Sequence, residues 1–148
     1  MPALGSVQVC ALDFSDRLTA GPSITVSANV RRDVVLVYEL WRGDRRLSMG
    51  VLPFVPNKHL ELADPKLRAA VRKTDAGFEI EVTARRLARF VWLELAGQDA
   101  ISPYVAFSDN DFDVPAGRTV TVTLPAMKGW TLKRVRESLR VRSLIDSY

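Results

Sequence analysis

The sequence predicts an all-β protein built as an antiparallel β-sandwich, and two alternating segments carry this prediction. In residues 119–124, Val120, Val122 and Leu124 alternate with three threonines. This spacing places apolar side chains on one face of a strand and hydroxyls on the other. Residues 78–83 alternate in the same way. The chain holds about nine such short segments separated by turn residues, with little helix between them, as is typical of a sandwich.

The N-terminal third predicts strands that end in a hairpin. We expect strands at residues 7–14 and 24–30, and a third at residues 34–41 that is apolar on both faces. Such a strand lies at the centre of a sandwich or is covered by a neighbouring domain. Residues 42–45, Arg-Gly-Asp-Arg, predict a tight turn into a strand at residues 46–49.

Pro53 and Pro56 interrupt the strand pattern, because two prolines so close cannot both lie in a central ladder. We therefore divide the chain into residues 1–52 and residues 53–148. A short strand is predicted at residues 58–62.

Residues 67–73 predict a strand with Leu67, Ala69 and Val71 facing inward. A helix over residues 64–73 is the alternative, since Asp64 could cap it with a proline in its first turn. Asp75-Ala-Gly77 then predicts a turn.

Large side chains on both faces of residues 88–95 predict a central strand, with Trp92 where an immunoglobulin-type sandwich buries a tryptophan. A further strand is expected at residues 101–107. After a loop at residues 125–130, Thr131 is a candidate helix cap. We expect a short helix after it, with Leu132, Val135 and Leu139 on one face. A strand is predicted next, at residues 139–145.

The composition bounds the function classes. The net charge is +4 and sixteen of the 21 basic residues are arginines, but they are dispersed, which favours a solvated surface over a nucleic-acid interface. The single cysteine, Cys10, excludes an intramolecular disulfide and is predicted to be a small buried hydrophobe. No apolar run is long enough for a membrane span. No secretion signal is visible, so we expect a cytoplasmic location if a parent protein also lacks one.

Candidate catalytic and metal-binding residues are few. The only histidine, His59, lies in a predicted strand without a nucleophile motif, so neither a serine–histidine–aspartate triad nor a zinc site is predicted. Glu79 and Glu81 lie on an outward strand face, where open solvation gives neither a reason to act as an acid. We predict no catalytic residue and no cofactor.

Asp109, Asp111 and Asp113 have the spacing that opens a calcium loop, but the glycine and glutamate required later in that motif are absent. A looser calcium site stays open as an alternative. The preferred role is local, because short polar side chains bind backbone amides and hold turns. The predicted turn-organising residues are Asp109, Asn110, Asp113 and Gly117.

Aromatic residues offer one alternative binding function. Trp41, Tyr104 and Trp130, with Tyr38, could form a platform for sugar rings, as in carbohydrate-binding modules. Core packing or contact with an adjoining domain is the preferred interpretation. Trp130 follows a glycine in a loop and is the tryptophan least expected in the core.

Three segments resemble a known family: residues 54–65 (Phe-Val-Pro-Asn-Lys-His-Leu-Glu-Leu-Ala-Asp-Pro), residues 90–94 (Phe-Val-Trp-Leu-Glu) and residues 107–117 (Phe-Ser-Asp-Asn-Asp-Phe-Asp-Val-Pro-Ala-Gly). Together, over residues 54–124, they are similar to the C-terminal immunoglobulin-like domain of β-mannosidases of glycoside hydrolase family 2. Residues 23–52 resemble the closing strands of the preceding sandwich domain. Residues 139–144 resemble the tail of bacterial members.

This resemblance implies an immunoglobulin-like sandwich for residues 53–148 and a non-catalytic accessory role. The expected partners are the remaining domains of the parent enzyme, with an oligosaccharide as the alternative partner, and no nucleic acid or membrane. Both catalytic glutamates of the family belong to a (β/α)₈ barrel placed before these domains, so no catalytic residue is transferred to this chain. Asp111 stands where the family usually has an aromatic residue, which weakens any contact expected there.

Overall fold

The computed structural model describes residues 11–14, 30–97 and 106–147. These residues fall into two compact units. The first unit holds residues 11–14, 30–35 and 53–60, and the second holds residues 36–52, 61–97 and 106–147. The boundary predicted at residue 53 stays a prediction.

The first unit contains little regular structure. Helix α1 (Val30–Asp33) is a single turn, and Asn57–His59 form a 3₁₀ turn. The strand predicted at residues 58–62 is therefore wrong: the amide of His59 donates to the carbonyl of Pro56, which closes a helical turn instead of a ladder. The strand predicted at 7–14 is irregular at residues 11–14, and its other residues lie outside the described part, as do residues 24–29 of the next strand.

Eight antiparallel strands and one helix organise the rest of the described chain. In chain order they are β1 (Val35–Arg42), β2 (Arg45–Pro53), β3 (Arg68–Thr74), β4 (Gly77–Thr83), β5 (Ala88–Leu95), β6 (Phe112–Val114), β7 (Thr119–Pro125), α2 (Leu132–Ser138) and β8 (Leu139–Arg142). Strands β1 and β2 form the predicted hairpin. The other strands form two sheets, with orders β3-β4-β7 and β6-β5-β8. The helix proposed as an alternative over residues 64–73 does not form.

The two three-stranded sheets share one hydrophobic core, which makes this part an antiparallel β-sandwich. Strands β4 and β7 contribute their predicted inward residues, and in β4 the side chains of Ile80 and Val82 have no solvent exposure. Val91, Leu93 and Leu95 of β5 pack against them from the opposite sheet. Burying these side chains contributes roughly 1.5–3 kcal/mol each, which makes this alternation the main stabilising feature of the fold.

Strand β5 is central in its sheet, as predicted, but Trp92 does not occupy a buried position. Its side chain is 50% exposed. Trp92 lies opposite Arg142 on the outer face, because Val91 and Leu93 take the two inward positions beside it. The expectation of a buried tryptophan at this position is therefore wrong.

Two further details differ from the expected pattern. Within residues 11–14, 30–97 and 106–147, β1 pairs only with β2, so the strand at residues 34–41 is not central among the described strands. Ala69 of β3 has the inward spacing of Val71 but is exposed, since β3 is an edge strand. Of the strand expected at residues 101–107, only residues 106 and 107 are described, and they are irregular.

Thr131 caps helix α2 as predicted: its hydroxyl oxygen accepts a hydrogen bond of 3.2 Å from the amide of Arg134. Val135 of this helix is fully buried, and Leu132 and Leu139 pack on the same core. Strand β8 begins at Leu139 but ends at Arg142, and residues 144–147 form a 3₁₀ turn where a longer strand was expected.

Replacing Thr131 by alanine should lower the free energy of unfolding by about 1 kcal/mol, because one amide at the helix start loses its acceptor. Thr131→Ser keeps the hydroxyl and should stay close to the wild type. Urea unfolding of the three proteins measures the effect. Equal losses for the alanine and serine variants would show that the cap contributes nothing.

Candidate functional site

The segment from Phe107 to Gly117, here called the connecting segment, bonds to both sheets of the sandwich. At its start, the amide of Ser108 donates to the carbonyl of Thr123 in β7 (2.9 Å), and the hydroxyl of Ser108 accepts from the amide of Thr123 (2.8 Å). Further on, β6 pairs with β5 in the opposite sheet. The segment therefore ties the two layers together at one side.

Asn110 completes this tie through its side chain. Its Oδ1 accepts from the amide of Leu93 (2.7 Å), and its Nδ2 donates to the carbonyl of Leu93 (2.9 Å). The carboxamide thus reproduces both hydrogen bonds of a backbone partner and extends the β5–β6 ladder by one pair. Asp109 accepts from the amide of Asn110 (2.8 Å). Gly117 adopts a left-handed φ of 71°, which glycine takes without steric strain, beside the turn that the amide of Arg118 closes on the carbonyl of Pro115 (3.1 Å).

Asp113 lies beside a β-bulge in β5. The register of β5 against β6 shifts between Ala88 and Val91, and Phe90 has a left-handed φ of 51°. Oδ1 of Asp113 accepts from the amide of Phe90 (3.1 Å) and lies 2.9 Å from Nε of Arg89. This last contact is an ion pair without hydrogen-bond alignment, because the N–H of Nε does not point at the oxygen.

Arg89 is a buried cation with a side chain that is only 7% exposed. Its guanidinium carbon lies 4.9 Å from the ring centroid of Phe90, which adds a cation–π contact. Asp113 is therefore the counter-ion of a buried charge as well as a turn residue.

Burial raises the pKa of Asp113, and the amide of Phe90 and the guanidinium of Arg89 only partly offset this effect. The folded state consequently binds more protons than the unfolded state above the ordinary value of 3.8. The part of the stability that depends on this pKa shift is fully present below that pH and is lost as the pH rises through the raised pKa.

Wild-type stability relative to Asp113→Asn should accordingly decrease as the pH rises from 3.8 through the raised pKa of Asp113. The asparagine variant is the matched control because it keeps the shape of the side chain and does not titrate. Urea unfolding of both proteins across this range tests the sign. A difference that rises with pH would contradict a raised pKa.

A second polar cluster joins the hairpin to the start of β7. Oε1 of Glu39 accepts from Nη1 of Arg46 (3.2 Å) and Nε of Arg118 (3.0 Å), while Oε2 accepts from Nε1 of Trp41 (3.3 Å). Arg46 also donates to the carbonyl of Thr119. Burial alone would raise the pKa of Glu39, but the hydrogen bonds from Arg118, Trp41 and Arg46 outweigh it and lower the pKa. The carboxylate is thus held ionised as a bridging acceptor.

An open cleft of about 950 Å³ lies between the hairpin and the connecting segment. Trp41 and Asp44 line its hairpin side, and Thr119 and Thr121 line the side formed by β7. Of the predicted turn residues, Asp109, Asp113 and Gly117 also line it. Of the carboxylates that line the cleft, Glu39 and Asp113 are engaged by arginines.

Of the described members of the predicted aromatic platform, Trp41 lines this cleft, and Tyr38 and Trp130 do not. Trp41 is half exposed and lines it, whereas Trp130 is partly buried against the core and is covered by Arg134, whose guanidinium carbon lies 4.4 Å from the ring centroid. Tyr104 lies outside the described residues. A role of these three residues in sugar binding stays a prediction.

The remaining candidate residues are dispersed. His59 is exposed in the 3₁₀ turn, and Glu79 pairs with Arg72 on the outer sheet face. Asp109 and Asp111 are exposed, and no group of histidine, cysteine or acidic residues within residues 11–14, 30–97 and 106–147 could hold a metal ion. In this same part of the chain, no helix is long and apolar enough to cross a membrane.

Sequence reasoning missed the buried Arg89 and the Glu39 cluster. One signal for Arg89 was present, since a single arginine stands among the apolar residues of β5, directly before Phe90. The Glu39 cluster had no comparable signal, because Glu39 and Arg118 are 79 positions apart.

Comparison with known proteins agrees with the geometry. No curated protein matches the chain significantly. Residues 62–147, more than half of the chain, match the family model Ig_mannosidase, which describes an Ig-fold domain. This confirms the resemblance to the C-terminal immunoglobulin-like domain of mannosidases. The chain therefore belongs to the Ig_mannosidase family of Ig-fold domains.

Proposed function

We propose that this chain is the C-terminal accessory domain of a β-mannosidase-like enzyme of glycoside hydrolase family 2, and that it stabilises or shapes the enzyme by packing against its other domains. The chain itself is non-catalytic. Family membership supports an accessory domain associated with mannosidases. The packing role, the glycoside hydrolase parent and a bacterial source are our proposal.

The observation that carries this proposal is the exposed apolar surface of the hairpin. Five large hydrophobic side chains of β1 and β2 are 45–59% exposed: Tyr38, Leu40, Trp41, Leu47 and Leu52. A two-stranded hairpin with this composition is marginal in water by itself. Tyr38 and Leu40 share one face of β1, and an exposed apolar face of this kind marks an interaction site. We infer that a neighbouring domain covers the hairpin.

The polar residues support the non-catalytic part of the proposal. Asn110, Asp113 and Glu39 are the best-positioned polar side chains, and each is bonded to a backbone group or an arginine of the same unit. Side chains engaged in this way hold the fold and are not poised to exchange protons with a substrate.

An aryl β-mannoside assay tests the absence of catalysis. Rigorously purified protein should release no aryl alcohol above the rate of a heat-denatured sample. Turnover that follows the protein through successive chromatographic steps would contradict the proposal. The upstream reading frame provides a second test, since an in-frame barrel region is expected before these residues.

Carbohydrate binding is a second candidate function, favoured by the half-exposed Trp41 at the wall of the cleft. The hydrogen bond from its indole to Glu39 fixes the ring, and Asp44 and the hydroxyls of Thr119 and Thr121 line the same cleft. Calorimetry with manno-oligosaccharides should then show heat that Trp41→Ala abolishes and Trp92→Ala, an exposed tryptophan of another strand, preserves. If the domain only packs and has no affinity for sugar, the wild type and both variants would show no heat of binding.

A further inference from the structure

A second groove, of about 400 Å³, opens on a different side of the sandwich. Its lining comes from the edge strands of the two sheets and from α2: Ala69, Ala70, Val71, Arg136, Leu139 and Val141. Ala69 is exposed although it has the inward spacing of Val71. The apolar interior of the sandwich is therefore accessible from this side, which we call the edge groove.

Strands β3 and β8 each pair with only one neighbour, so each leaves one edge uncovered within the described residues. Arg136 shows which backbone groups of β3 face outward. Its Nε and Nη2 donate to the carbonyl of Val71 (3.2 and 2.7 Å). Because both backbone groups of a residue point to one side of a strand, those of Val71, and of Ala69 and Lys73 two positions away, point away from β4. Arg136 already occupies the carbonyl of Val71, so an added strand would bond to the outward backbone groups of Ala69 and Lys73.

The elements around the edge groove carry an excess of basic residues, three of which form ion pairs within the chain: Arg72 with Glu79, Lys133 with Glu137 and Arg142 with Glu94. There are eight basic residues and one acidic residue in β3, α2 and β8 together. The whole chain has 21 basic and 17 acidic residues, so the excess is local to these elements. The basic residues are Arg68, Arg72, Lys73, Lys133, Arg134, Arg136, Arg140 and Arg142. Two of the five N–H groups of the Arg136 guanidinium contact Val71, which leaves donors for a carboxylate.

We propose that the edge groove binds an extended acidic segment of another polypeptide, which adds to β3 as a strand. Its alternate apolar side chains enter the space over Ala69 and Val141, and its acidic side chains contact the surrounding cations, Lys73 and Arg136 among them. Such strand addition derives affinity from main-chain hydrogen bonds and specificity from pockets for alternate side chains. This binding function goes beyond the packing role proposed above.

Two other occupants fit the edge groove less well. A second copy of this chain would bring two sets of arginines together across a symmetric interface, and like charges there are unfavourable. A nucleic acid would satisfy the cations but would use neither the apolar lining nor the open strand edge. An acidic peptide uses all three features.

Fluorescence anisotropy with a labelled peptide of alternating glutamate and valine tests this proposal on the whole chain. The peptide should bind, and the backbone amide resonances of Ala69, Val71 and Lys73 should shift on titration. A peptide of the same composition with its glutamates and valines in two blocks, and one with lysine in place of glutamate, should each bind at least about tenfold more weakly.

Three variants locate the interaction. Ala69→Glu fills the edge groove with a negative charge and should weaken binding about tenfold or more, and Lys73→Glu should weaken it about fivefold. Arg45→Glu, in the hairpin, makes the same change of charge as Lys73→Glu and should weaken binding less than about twofold. Thermal unfolding shows whether each variant is folded. If Ala69→Glu does not fold, the affinity of Lys73→Glu, which changes an exposed side chain, tests the proposal.

Several results would overturn the proposal. One is that the alternating peptide fails to bind, or that the block peptide binds equally well. Another is that the affinity falls equally in Lys73→Glu and Arg45→Glu. A further one is that the protein retains duplex DNA without binding the peptide. The last result would indicate a polyanion surface. None of them bears on the hairpin surface, so the packing role can fail or hold independently.

Discussion

Replacing Asn110 by alanine should lower the free energy of unfolding by about 2–4 kcal/mol, which is a large fraction of the stability of a domain this size. The change removes two hydrogen bonds and leaves the amide and carbonyl of Leu93 without their partner. Leu93 is 1% exposed, so water reaches these groups poorly. Urea denaturation followed by circular dichroism measures the loss.

Two variants separate the role of Asn110 from a general effect of changing the connecting segment. Asp109→Ala removes one exposed bond to the adjacent amide and should cost less than about 1 kcal/mol. Asn110→Asp keeps an acceptor for the amide of Leu93 but loses the donor to its carbonyl, and should lie between the two. If Asp109→Ala proves as damaging as Asn110→Ala, the carboxamide does not act as a strand partner.

Replacing Asp113 by alanine should cost about 3–5 kcal/mol, because it removes the oxygen that lies beside the buried guanidinium of Arg89, which a protonated carboxyl or an asparagine at this position would keep. The bulge that Asp113 stabilises through the amide of Phe90 loses its acceptor in the same step. Thermal or urea unfolding at neutral pH measures this effect, and the expected loss exceeds that of any exposed ion pair in the structure.

The double variant Arg89→Met/Asp113→Ala provides the control for this prediction. Methionine fills part of the space of Arg89 without a charge, so the double variant should recover much of the stability that Asp113→Ala loses. If the losses of the two single variants simply add, the two side chains do not act as a buried pair.

The sandwich could be predicted because the alternation that specifies each strand lies within a few consecutive residues. Period-two alternation in β4 and β7 specifies which face of each strand is buried, and the structure confirms the inward positions Phe78, Ile80 and Val82. The cap of α2 was equally readable, because Thr131 and the apolar spacing after it lie within one helical turn.

Features that depend on distant pairing could not be predicted. The bulge at Phe90 and the outward position of Trp92 arise from the register between β5 and β6, which the sequence of β5 alone does not specify. The same reason explains the mistaken strand at residues 58–62, where the apolar alternation has no partner strand among the described residues. An alternating sequence indicates a strand, but the strand forms only where a second strand pairs with it.

The candidate site was predictable only in part. The polar character of Asp109, Asn110 and Asp113 indicated bonds to backbone amides, and such bonds occur at all three positions. Their partners in β5 lie 17 and 23 positions away for Asn110 and Asp113. No rule of spacing connects residues over that range, which is why the buried Arg89 had no assigned counter-ion.

Amide hydrogen exchange of residues 35–53 tests the central claim most directly. It should be measured in the chain alone and in the longer enzyme to which we assign it. If the hairpin packs against a neighbouring domain, its amides should exchange rapidly in the isolated chain and at least about tenfold more slowly in the whole enzyme, while β4 and β7 stay equally protected in both. Identical hairpin exchange in the two proteins, or a native gene product that contains no further domain, would contradict the packing role.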